Sequence, residues 1–248
     1  MLLLPLLQVS AQQPDAGLIM SKSRDLSLIV SLNATINLSI TEKSGAKRNR
    51  TISMTTKSFP DGLEKRLIKF MEPADVRGTS MLVVDNKDKD DEMWIYLPAL
   101  KKTRRIVSSE KGKSFMSSEF SNSDMSSPAL SDFENRYAEN SGSDNLWIIE
   151  SIPRNGDIAD QYGYSRKVSY IIRDKCQVQK MEFYNFDNEL FKTIEIKSIY
   201  PMEDGKYMIK NMIASNLITA RKSEILFSNI NEKVKVDDSY FTVQNLER

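Results

Sequence analysis

The sequence predicts a mainly β protein: one antiparallel sheet, large enough to curl, with only two helical segments. Three observations carry this. From Val30 to Thr41, Val30, Leu32, Ala34, Ile36, Leu38 and Ile40 alternate without a break with Ser31, Asn33, Thr35, Asn37, Ser39 and Thr41. That is the period of a strand with one dry and one wet face. From Leu146 onward, short β-prone runs recur at regular spacing between turn signals, the mark of hairpins in a single large sheet. Apolar residues at helical spacing occur in two places only.

In chain order, Pro14 to Asp25 suits a short helix, with Pro14 and Asp15 in its first turn and Leu18, Ile19 and Met20 on an apolar side. After the alternating strand, Gly45 marks a turn and Arg50–Lys57 pairs back. Asp61-Gly62 is a hairpin signal before a strand over Leu63–Met71. Thr79–Val84 is a further strand. The acidic run Asp85 to Glu92 lacks the central glycine and spaced glutamate of a calcium loop, and reads as a solvated hairpin tip. Met93–Leu97 is an aromatic-rich strand that Pro98 ends, because proline has no N–H to give the ladder.

Lys101, Lys102, Arg104 and Arg105 follow in a turn and a second strand ending at Ile106-Val107. Ser108 to Ser131 is Ser-rich, with the large apolar Phe115 and Met116 at its centre. Ser126 to Asn140 is the second helical candidate, Leu130, Phe133 and Tyr137 sharing one helical face. Strands then cover Leu146–Ile152, Tyr164–Arg173, Gln177–Phe186, Leu190–Tyr200, Tyr207–Leu217 and Ser223–Ile230. Their turn signals are Asn155-Gly156, Phe186-Asp187-Asn188 and Glu203-Asp204-Gly205. Asp238 to Leu246 closes the chain.

Composition narrows the function. The 248 residues are 40% hydrophobic and 28% charged, with a formal net charge of +1. That is globular composition without the basic excess of a nucleic-acid binder. There is no histidine, which removes the commonest general base and zinc ligand. The single cysteine, Cys176, in the strand-like run Lys175–Val178, cannot form an internal disulfide or a thiolate cluster. It reads as a small packed residue. No Gly-x-Ser-x-Gly, phosphate-loop or metal motif is present, so neither catalysis nor a cofactor is expected. A hydrolase using paired carboxylates is the one enzymatic alternative.

Leu2 to Leu7 is an apolar core far shorter than the ~20 residues of a membrane span. It is followed by the small-residue site Val9-Ser10-Ala11. This reads as a signal peptide over residues 1–11, without the usual basic start, ahead of one domain over 12–248.

Three ordered motifs carry a family resemblance. They are Phe70-x-x-Pro73-Ala74-Asp75-Val76-x-Gly78-Thr79, then Trp94-x-Tyr96-Leu97-Pro98-Ala99-Leu100-Lys101-Lys102-x-Arg104-Arg105-Ile106, then Ser114-Phe115-Met116-x-Ser118-Glu119-Phe120. The set resembles the outer membrane lipoprotein-sorting protein-like family, within the superfamily of the periplasmic lipoprotein carrier. One departure is Ser117, where relatives usually carry glycine. The resemblance implies an incomplete β-barrel, a single strongly curled sheet covered by short helices and loops, enclosing a hydrophobic cavity. It implies a periplasmic, non-catalytic carrier that shields acyl chains of a lipid or lipoprotein, working beside an inner-membrane lipid exporter. A second reading on the same fold is a lipid-sensing regulatory module acting on a membrane partner.

The expected cavity or gate residues are Leu32, Ile36, Leu38, Ile40, Phe70, Trp94, Tyr96, Phe115 and Met116. Trp94 and Tyr96 share a strand face that is either packed core or cavity wall. Phe115 and Met116 either gate the cavity or anchor a static loop. Lys101, Lys102, Arg104 and Arg105 either meet anionic headgroups in a transient membrane contact or solvate a turn. The domain is expected to act as a monomer, with no nucleic acid and no metal.

Export predicts a processed chain: intact-mass analysis of the protein from its native host should find an N-terminus at or near Gln12. Full-length cytoplasmic protein would contradict it.

Overall fold

The computed structural model describes residues 13–27, 31–59, 62–86, 91–127, 129–139 and 145–247. The expected leader, Val30, Asp61, residues 87–90 of the acidic run, Pro128 and Ser141-Gly142-Ser143 lie outside them.

Thirteen strands among the described residues form one antiparallel sheet. Its first half is β1 (Ser31–Thr41), β2 (Lys47–Ser58), β3 (Glu64–Glu72), β4 (Ser80–Asp85), β5 (Glu92–Leu97) and β6 (Lys102–Ile106). Its second half is β7 (Phe133–Tyr137), β8 (Leu146–Pro153), β9 (Arg166–Ile172), β10 (Gln177–Tyr184), β11 (Leu190–Pro201), β12 (Tyr207–Asn216) and β13 (Lys222–Glu232). Each half is a meander. The first and last strands join them, β1 pairing with β13 from Leu32↔Glu232 to Thr41↔Lys222. The sheet therefore stays open, with β6 at one edge and β7 at the other.

The alternation seen in the sequence sets the register. Leu32, Ala34, Ile36, Leu38 and Ile40 are all buried on the concave face. They share one core with Ile52 and Met54 of β2, Ile68 and Phe70 of β3, and Met81, Val83, Met93 and Ile95 of β4 and β5. A one-residue slip would turn this whole set to water.

Helix α1 (Ala16–Ser27) lies across the second meander. Asp15 Oδ1 accepts the Leu18 N–H at 3.0 Å at its start. Ala16, Ile19 and Ser23, spaced on one helical face, are its buried residues. Ala16 and Ile19 pack on Ile149 and Ile171 of β8 and β9.

The segment from β6 to β7 has to travel between the two edges of the sheet, and it does so on the concave side: Phe115, Phe120 and Met125 all belong to the concave core. It begins with α2 (Ser108–Lys111), which packs against α3 (Gly156–Tyr162) from the opposite meander. A Cβ on Gly112 would come within 2.8 Å of the Tyr162 carbonyl oxygen, so only glycine permits this approach. The C-terminal residues cover the other side. Phe241 and Leu246 pack on the convex face against Leu67 and Leu82.

Three expectations are corrected. Ser126–Asn140 is not a helix: Leu130–Asp132 makes a single turn and Phe133–Tyr137 is edge strand β7, paired with β8. Phe133 and Tyr137 also fit period 2, and a neighbouring strand decided between the two readings. Asn155-Gly156 is not a hairpin turn; Asn155 Oδ1 accepts the Ile158 N–H at 2.9 Å and caps α3. Cys176 is buried, but in the turn between β9 and β10 with a left-handed φ of 49°. No helix of the described residues is long and apolar enough to cross a membrane.

Ser117 has φ of 63°, the left-handed region that favours glycine. Ser117→Gly should therefore raise stability by about 0.5–1 kcal/mol in denaturant titration. Ser118→Gly should lower it, because the buried Ser118 hydroxyl donates to the Phe115 carbonyl at 2.7 Å.

Candidate functional site

Between the concave face and its cover lie two contiguous pockets of ≈ 200 and ≈ 170 Å³ that share Ser27, Ser127 and Ile209. The first sits under α1, against β7 to β10 and β12. Its apolar wall includes Met20, Leu130, Phe133, Val178 and Met181. The second lies at the centre of the sheet, over β1, β2, β3, β12 and β13. Its wall includes Ile36, Met54, Ile68, Met125, Met208, Met212 and Ile225. Six of the chain's 12 methionines line the pair. Unbranched, polarisable thioether side chains fill irregular space and re-pack around different shapes.

Charges interrupt this wall at defined places. Arg66 donates to Glu64 and to the Met125 carbonyl, and reaches Asp85 Oδ2 at 3.1 Å. It thereby ties β3 and β4 to the crossing segment. Glu64, Asp85 and Asp91 are all buried on the concave side. The acidic run is thus not wholly a solvated tip: its described ends, Asp85 and Asp91, turn inward. Burial pushes the Asp85 carboxyl up to about 7; Arg66 opposes the shift, and Asp91 and Glu64 add to it. Burial also raises Asp91. Asp124 pairs with Lys192 at 2.9 Å. Lys167 and Arg24 enter the pocket under α1. Among the described residues no group of three or more His, Cys, Asp or Glu side chains is arranged to hold a metal ion.

Of the candidates read from sequence, Ile36 lines the central pocket. Leu32, Leu38 and Ile40 belong to the packed core beside it. Phe70 and Phe115 lie in the same core with their rings tilted at 42° and centroids 5.9 Å apart. Phe115 belongs to this core and Met116 packs against it. Phe115 is 2% exposed, and neither residue lines either of these two pockets. The segment is clamped: Arg50 donates to the Met116 carbonyl, Arg221 to the Ser117 carbonyl at 2.9 Å, and Glu119 N–H to Ser223 Oγ at 2.9 Å.

Trp94 and Tyr96 are also relocated. They alternate with inward-facing Met93 and Ile95, so they lie on the convex face under the C-terminal cover. The sequence offered no sign that a second apolar layer existed there. Of the basic group on edge strand β6, Arg104 pairs with Glu110 at 2.6 Å and Arg105 lies 4.0 Å from Glu92. Lys101 and Lys102 are exposed beside Leu100, which is 67% exposed.

Sequence reasoning missed most of the pocket wall. β12 and β13 supply Met208, Ile209, Met212, Ile225 and Phe227, and α1 supplies Met20. The abundance of methionine was the available signal.

A family model described as "-like: Uncharacterized protein" matches residues 62–248. No curated protein matches the chain. Among solved structures, a Vibrio parahaemolyticus domain named for outer membrane lipoprotein sorting superposes with a TM-score of 0.84 at 24% identity. The match covers 94% of this chain and 98% of that one. A DUF1329 family protein from Desulfovibrio piger gives 0.83 at 27% identity, covering 93% and 97%. A LolA superfamily protein from Nitrosomonas europaea gives 0.71 at 16% identity, covering 93% and 98%. At 24% and 16% identity the first and third matches are similarities of fold.

A carboxyl whose folded pKa is raised holds its proton more tightly in the native state. Its contribution to stability is full below the ordinary value of ~3.9 and is lost as pH rises towards 7. Asp85→Asn should remove that loss. Melting curves from pH 4.5 to 7.5 should show the variant gaining on the wild type as pH rises. A constant difference would place the proton elsewhere.

Proposed function

We propose that the chain, which belongs to the family whose model matches residues 62–248 and shares its fold with a domain named for outer membrane lipoprotein sorting, is a non-catalytic periplasmic carrier that shields acyl chains in the methionine-lined pockets. The observation that carries this reading is the pair of contiguous apolar pockets between the concave sheet and its cover. Burying one methylene gains about 0.8 kcal/mol, so an acyl chain needs a dry wall and no special residue. A cavity of about 150 Å³ holds benzene. Each pocket therefore accepts a short stretch of chain and the two in series a longer one. A full-length acyl chain requires the methionine walls to re-pack around it, which thioether side chains do at low cost.

Export to the periplasm and removal of residues 1–11 belong to the same proposal. Cargo arrives from a membrane donor. Lys101 and Lys102, with exposed Leu100 beside them, supply the transient contact, each cation contributing about 1 kcal/mol near an anionic surface.

The test is an organic extract of protein purified from its native envelope, analysed by mass spectrometry. Lipid in stoichiometric amount is expected. Met212→Asp, which puts a carboxylate into the central pocket, should abolish its recovery while the fold persists by circular dichroism. An empty wild-type protein that also fails to take up an apolar fluorophore would overturn the reading.

A further inference from the structure

The pocket under α1 carries an imbalance of charge. Its lining includes Arg24 and Lys167 and no aspartate or glutamate. Among the described residues neither cation has a carboxylate within 4 Å, and the charge of Asp91, which does not line this pocket, reaches Arg24 from further off. Asp124, whose charge reaches Lys167, is committed to Lys192 at 2.9 Å and to the Ser121 N–H at 2.7 Å. The Lys167 ammonium instead lies 5.5 Å from the centre of the Phe133 ring. Burial pulls Lys167 down to about 8; Asp124 draws it back up and Lys192 pushes it lower. The central pocket differs: Glu64 and Asp124 stand in its wall beside Arg66.

A cation in an apolar wall without its own anion is unfavourable until a ligand supplies one. Buried hydroxyls stand in the same wall at Ser151 and Ser169. The acids of the central pocket already hold Arg66 and Lys192, which leaves no cation there for an anionic ligand, while its apolar side chains suit a hydrocarbon tail.

We propose that the pocket under α1 takes the anionic end of a single-chain amphiphile, a carboxylate or a phosphate monoester, held by Lys167 and Arg24. The tail passes Ile209, which both pockets share, into the central pocket. This rests on the carrier reading, which by itself is indifferent to the headgroup.

The experiment is displacement of a neutral apolar fluorophore from the purified chain by oleate, dodecyl phosphate, methyl oleate and inorganic phosphate. The two charged amphiphiles should bind at least about tenfold more tightly than methyl oleate. Lys167→Met and Arg24→Gln should each erase most of that preference, leave methyl oleate unchanged and keep the melting temperature. Lys167→Arg should retain it. Comparable strength of oleate and dodecyl phosphate leaves the headgroup open to either source; a preference for one names it. Equal binding of oleate and methyl oleate, or a preference that survives in Lys167→Met, overturns the proposal and leaves the carrier reading standing. Competition by inorganic phosphate at the concentration of dodecyl phosphate overturns it in favour of a free-anion site. If no amphiphile displaces the fluorophore, the carrier reading fails and this one falls with it.

Discussion

The pairing of β1 with β13 fixes the architecture. It puts the first and last strands at the centre of the sheet and sends β6 and β7 to its two edges. The chain between those edge strands then has one compact route, across the concave face. Phe115, Phe120 and Met125 enter the core because they lie on that route. The close approach of α2 to α3 at Gly112 follows from the same curl, which brings opposite meanders within contact. A barrel closed by strand pairing would have left no place for this crossing, and a flat sheet would have left nothing for it to fill.

A crossing segment of Ser, Lys and Glu cannot be held by apolar contacts alone. Its carbonyls instead accept hydrogen bonds from arginines: Met116 from Arg50 of β2, Met125 from Arg66 of β3 and Ser117 from Arg221 in the turn before β13. Charge-assisted hydrogen bonds of this kind are stronger and more directional than neutral ones. The same arginine that donates to Met125 binds Glu64 and Asp85. The buried acids are therefore part of the clamp, and no separate catalytic role is needed to account for them.

Clamping and adaptability occupy different places. The Phe70–Phe115 end of the core is dense and hydrogen-bonded. The space under α1 and along β12 is lined by methionines and lacks the same filling. The proposed carrier role uses both, since a wall can adapt to a ligand only if the frame around it does not move.

By itself the sequence determined the β character, the register of β1 and the dry face of Leu32, Ala34, Ile36, Leu38 and Ile40. Periodicity is a local property, and only one face can meet the core. Its ordered motifs pointed to the family and marked Phe70 and Phe115 as apolar residues with somewhere to dock. Only the tertiary structure decided which apolar surface each residue meets. Trp94 and Tyr96 alternate as well as any pair in the chain, yet they lie on the convex side, because Phe241 and Leu246, some 150 residues later, supply a second dry layer there. Phe133 and Tyr137 fit a helix or a strand, and pairing with β8 chose the strand. The pocket wall was beyond reach for the same reason: Met20, Met54, Met181 and Met212 come from four elements far apart in sequence. Nothing local separates a methionine that lines a space from one that fills it.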